Sequence, residues 1–135
     1  MAVIGDWNII SMRVAEIKTL ANRSSSSIGE INSNYRIAIT PKRSDSKLLI
    51  TFNFTYSSHE EHRLQHWRIQ NVTGNYDVSR GGGSNNRYGC TQVSRASHNN
   101  HNAESVMISG WDDAAATSTR TYGLWHKSHD ANQTN

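Results

Sequence analysis

The chain has 135 residues, 35% of them hydrophobic, and a formal net charge of +3 from 14 basic and 11 acidic side chains with histidine neutral. Average globular chains are roughly 45–50% apolar with glycine counted, so this composition fits a single domain, residues 1–135, with a thin core. It excludes a strongly basic nucleic-acid reader, since no block of like charges and no recognition-helix pattern occurs.

Ser, Thr and Asn together make up 42 of the 135 residues, which favours turns and strand surfaces over helices. Four Trp and five Tyr argue against a natively unfolded chain. Cys90 is the sole cysteine, so no intrachain disulfide forms, and a reducing compartment is expected. No signal-peptide pattern and no apolar run of membrane-spanning length is present, so no membrane insertion is expected.

Along the chain, residues 1–20 fit two periods: Ile10, Val14 and Ile17 suit a helical face, and Ile10, Met12 and Val14 suit a strand. A first strand is the expectation, because everything downstream is β. Four serines at 24–27 mark a turn, followed by a strand carrying Tyr35, Ile37 and Ile39. Pro41, the only proline, stops that strand, and the polar run 42–46 turns the chain. Leu48, Ile50, Phe52, Phe54 and Tyr56 then alternate with Leu49, Thr51, Asn53 and Thr55, the period of a half-buried strand.

A charged connection over 57–63 leads to a strand over 65–72, with Trp67 and Ile69 on one face, ending near Gly74-Asn75. Residues 80–86 are glycine-rich and predict a surface loop. No Walker spacing follows, so this is not a phosphate cradle. Further strands are expected over 88–97, from Val106 and Ile108 into Gly110-Trp111, and over 121–125 with Tyr122 and Leu124 on one face. A polar tip at 97–102 and a small-residue turn at 112–119 separate them. The prediction is an all-β sandwich or barrel.

Three segments, in order, resemble a recurrent β-module of bacteriophage tail-fibre and other virion proteins, abundant among marine phages. Ile39-Thr40-Pro41, a Ser-rich turn and Ser46-Lys47-Leu48-Leu49 match its hallmark strand–turn–strand. The glycine loop with Asn and Arg at 80–97 is the second segment. The third is 111–124, where Asp112, Thr117, Ser118, Thr121 and Tyr122 fall on the pattern. The likeness covers roughly residues 10–126. It implies a jelly-roll-like β-sandwich, similar in architecture to the trimeric heads of the tumour-necrosis-factor type. The function it implies is that of a fibre tip, spike or exterior decoration of the virion. Such modules usually continue into a final hydrophobic strand, whereas this chain ends in Asn132-Gln133-Thr134-Asn135. Either the closing strand is absent, or the run at 9–14 or a neighbouring subunit is expected to fill its place at the open sheet edge.

Among chemistry-bearing residues, His59, His62 and His66 stand at helical spacing, and His98, His101 and Cys90 lie elsewhere. All sit in charged or Asn-rich segments where solvation is the default, so no metal or other cofactor is expected. Glu60-Glu61 and Asp112-Asp113 are adjacent pairs, which on a strand point to opposite faces and cannot act as a facing acid and base. No serine sits in a nucleophile elbow, and no catalytic residue is assigned.

Trp67, Trp111 and Tyr122 read as core, whereas Tyr76, Tyr88 and Trp125 flank polar loops or alternate outward. Arg80, Arg87 and Tyr88 are the candidate contact surface, and Trp125 the candidate subunit interface. The expected partners are two further copies in a homotrimer, other virion proteins, and a host-surface glycan or protein. Placed in the virion, the chain is expected to act without catalysis in attachment. Two other readings stay open, a capsid decoration protein and a free-standing carbohydrate-binding lectin.

Overall fold

A computed structural model describes residues 12–18, 20–21, 27–57, 63–78 and 103–130. Seven strands follow in chain order: β1 Gly29–Glu30, β2 Ile37–Ile39, β3 Lys47–Ser57, β4 Arg63–Asn71, β5 Tyr76–Asp77, β6 Ala103–Asp113 and β7 Arg120–Asp130. All pairings are antiparallel. The all-β expectation holds.

Two sheets form. In one, β7 is central, with β4 along one edge and the short β1 and β2 along the other, and β5 extends beyond β4. In the other, β3 and β6 pair over their full length, with Leu49 opposite Trp111, Thr51 opposite Ser109 and Asn53 opposite Met107. Alternation puts Leu48 and Ile50 of β3 and Val106 and Ile108 of β6 inward. They meet Trp67 and Ile69 of β4 and Tyr122 and Leu124 of β7 in one buried cluster. Phe54 and Tyr56 pack their rings on Trp67 at centroid distances of 4.6 and 5.2 Å, joining the two sheets. Pro41 is buried just after β2 ends.

Three expectations change. Residues 12–14 form no strand, and Met12 and Val14 are exposed. Three alternating residues suit a helix as well as a strand, and among the described residues none pairs with them in a ladder. Tyr35 belongs to a 3-10 turn, Ser33–Tyr35, because Asn32 caps it by accepting from the Asn34 amide at 2.9 Å. Trp111 is not core: with Val106 and Ile108 inward, position 111 has outward parity, and the indole is 59% exposed. The calls on 24–26, 58–62 and 79–102, including the strand at 88–97, lie outside the described residues.

Candidate functional site

Polar side chains gather where the inner faces of both sheets reach one end of the core. The inward positions of β4 run Gln65, Trp67, Ile69, Asn71, and those of β6 run Val106, Ile108, Gly110, Asp112. Each strand thus ends its apolar row with a polar residue at a core register. Arg120 and Tyr122 arrive from the start of β7, and Tyr76 from β5, which lies across from Asn71.

The Asp112 carboxylate is the hub. Its oxygens accept from the Tyr76 hydroxyl at 2.8 Å, the Tyr122 hydroxyl at 2.8 Å and Asn71 Nδ2 at 3.0 Å, with Arg120 Nη1 at 3.5 Å. Asn71 Nδ2 and Arg120 Nη1 also donate to the Tyr76 oxygen, each at 2.9 Å. Burial by itself pushes the Asp112 carboxyl up. The hydrogen bonds from Tyr76, Tyr122 and Asn71 and the charge of Arg120 outweigh it and hold the group below the ordinary aspartate value. Burial, then the hydrogen bond to the Asp112 carboxylate, pushes both tyrosine hydroxyls upward, Tyr122 strongly. At neutral pH this is a charged carboxylate held by two neutral phenols and a guanidinium.

The turn between β4 and β5 is fastened to β7. Asn71 Oδ1 accepts from the Gly74 amide at 2.8 Å, the Val72 amide donates to the Thr121 carbonyl at 2.7 Å, and the Thr121 amide donates to Thr73 Oγ1 at 2.9 Å. Gly74 has no Cβ because one would meet the Tyr76 ring. Above this turn an open cleft of about 430 Å³ is bounded by Thr73, Tyr76, Asp113, Ala115, Ser118 and Arg120. Asp113, next to Asp112 at the cleft, pairs with Lys47.

Deeper in the core, Gln65 Oε1 meets His126 Nε2 at 2.5 Å, and the His126 ring lies on Trp67 at 4.3 Å. His66 sits on β4, a strand, so it does not continue a helical ligand spacing from 59 and 62.

A second region is a surface. The outward side of the β3–β6 sheet presents Leu49 (55% exposed), Met107 (67%) and Trp111 (59%), with Thr51 and Ser109 joined by a 3.0 Å hydroxyl contact between them. Asn53, Thr55 and Ser105 complete it, so no charged residue stands on this face from the Lys47–Asp113 pair to the Thr55–Ser105 register.

Of the residues singled out from sequence, Arg80, Arg87 and Tyr88 lie outside the described residues. Trp125 is described: it points outward from β7, half-buried, with its ring where a Gly123 Cβ would stand, 2.6 Å from Cζ3. Sequence reasoning missed Asn71 and Arg120 and took Asp112 as part of a turn. The available signal was a polar residue at an inward register, which Asn71 and Asp112 both show. Comparison with known proteins finds no family model, no curated protein and no solved structure that matches this chain.

Proposed function

We propose that the chain is a non-enzymatic structural module of a bacteriophage virion. It assembles as a homotrimer of jelly-roll-like sandwiches at an exterior position, as a tail-fibre or spike domain that touches the host surface. The observation that carries the assembly is the uncharged outer face of β3–β6 with Leu49, Met107 and Trp111 exposed. That face is built on the strand that follows Ile39-Thr40-Pro41, the element on which the virion resemblance rests.

Large apolar side chains grouped on a polar, thin-cored protein mark a contact surface. A second copy fits it, because a chain of net charge +3 repels its own kind except where charge is absent. Strand spacings of about 3.4 Å along and 4.8 Å across give the face roughly 300 Å². Two copies meeting there alone would bury about 600 Å², short of the roughly 1,000 Å² of a stable pair. A closed ring supplies each subunit with two contacts, which supports three-fold assembly over a simple dimer. Trp125, outward on the opposite sheet, is the candidate for the second contact.

Light scattering at micromolar concentration tests the reading. A trimer is expected, and a stable monomer overturns it. Binding to host cells separates attachment from shell decoration, since a decoration protein binds emptied capsids and ignores cells.

A further inference from the structure

We propose that the cleft at the end of the sandwich, between the β4–β5 turn and the 114–119 connection, is a binding site for a neutral sugar. It deepens the attachment reading by naming the ligand class, and it depends on no subunit contact.

The cleft is lined by polar groups that its own hydrogen bonds leave unused. Asp112 and the Tyr76 hydroxyl are occupied by each other, Tyr122, Asn71 and Arg120, so they build the wall. The groups left over face a ligand. Arg120 spends Nη1 on that wall, and among the described residues its Nη2 makes no hydrogen bond. Asp113 engages Lys47 through Oδ1 and keeps Oδ2. Thr73 Oγ1 accepts from the Thr121 amide, which leaves its hydroxyl proton to donate. Ser118 is exposed and adds a hydroxyl. Tyr76, 40% exposed, gives an aromatic wall.

A guanidinium, a carboxylate and two hydroxyls around a ring match a molecule with alternating hydroxyls and one C–H face. The volume of about 430 Å³ lies in the range of small-molecule sites.

Charge decides the class. Asp112 and Asp113 are balanced by Arg120 and Lys47, so no positive surplus remains to hold a phosphate or a sialic acid. A neutral saccharide meets no such penalty.

Backbone strain adds a separate observation. The two non-glycine residues with positive φ among the described residues are Asn75, at 54°, and Ala115, at 52°. Asn75 sits between Gly74 and Tyr76 in the turn under the cleft, and Ala115 lines the cleft itself. Alanine gains no local side-chain hydrogen bond there, so the conformation is sterically disfavoured. The structure holds it through the Ala114 amide, which donates to the Ser46 carbonyl at 2.9 Å. Strain of this kind collects where a surface is shaped for a ligand.

The test is amide chemical-shift titration of the full chain with D-glucose, D-galactose, D-mannose and N-acetylglucosamine. N-acetylneuraminic acid and inorganic phosphate form the anionic arms. At least one neutral sugar is expected to give saturable shifts at Thr73, Gly74, Ala115 and Ser118, with millimolar affinity. Ser118→Trp, at an exposed position, fills the cleft and should abolish them. Asp113→Ala should weaken binding about tenfold, one charge-assisted hydrogen bond. No saturable shift with any neutral sugar overturns the proposal, as does preference for an anionic arm or binding unaltered in Ser118→Trp. Scattering run on the same samples separates the outcomes: a trimer that ignores sugars overturns the cleft alone, and a monomer that binds them overturns the assembly alone.

Discussion

The two outward faces of this protein differ in how they handle charge. On the five-stranded sheet, charged groups are paired and laid down: Arg68 donates to Asp77 at 2.8 Å, and Arg36 grips Glu30 through two contacts at 2.7 and 2.8 Å. Trp125 lies among them, half-buried over Gly123. On the β3–β6 sheet the corresponding face has no charge over its middle registers and exposes Leu49, Met107 and Trp111. The first face pairs these charges within one chain. The second exposes apolar area whose burial would contribute roughly 25 cal/mol per Å² before the costs of association.

That contrast requires the two sheets to stay locked, and the Asp112 hub does the locking, so its loss has the largest expected effect. Asp112→Ala strands two phenols, Asn71 and Arg120 around an emptied acceptor. It should cost about 3 kcal/mol of stability, measured by urea unfolding. The pH dependence has a definite sign. The folded-state value of Asp112 is lowered, so its contribution is present above the unfolded aspartate value near 3.9 and is lost as pH falls through the lower folded value. Stability should drop below about pH 4, and Asp112→Asn should flatten that part of the profile.

Next comes the uncharged face. Leu49→Lys with Trp111→Ala should weaken self-association by about 2 kcal/mol or more, roughly thirtyfold, seen by sedimentation, while the unfolding midpoint of the separated chain moves little. If assembly survives this double change, the face is not the contact. Trp125→Ala should cost about 1–2 kcal/mol, by uncovering Gly123 and its neighbours. A shift of the oligomer toward monomer in the same variant assigns Trp125 to the second contact, and an unchanged assembly state together with an unchanged melting temperature removes it. The smallest effect belongs to the charged face. Arg68→Ala, which breaks the part-buried pair with Asp77, should cost about 1 kcal/mol and leave assembly unaltered.

Much of the scaffold was legible. The alternation 48–56, the Pro41 stop, Trp67 with Ile69, and Tyr122 with Leu124 all fall on strands and faces that the period of two predicts. These signals are local, and each strand carries its own. The cleft was not legible in the same way. Tyr76 and Asp112 stand 36 residues apart, and Asn71 and Asp112 41 apart, so nothing nearby in the chain announces their contact. Trp111 shows a different failure. Its size suggested core, but parity outranks size on a strand: with Val106 and Ile108 inward, position 111 turns out, whatever residue occupies it.

By itself, then, the order of residues determined that this protein is built of strands, where several of them start and stop, and which residues share a side. Those properties follow from steric preferences and a two-residue repeat, which act within a few positions. Only the tertiary structure decided that β3 pairs with the distant β6 and that β7 lies between β4 and the short β1 and β2. The same decision placed the polar ends of four strands around one carboxylate. Pairing of distant strands is settled by which arrangement buries the most apolar surface while giving the buried backbone groups partners, a condition on the whole chain rather than on any stretch of it.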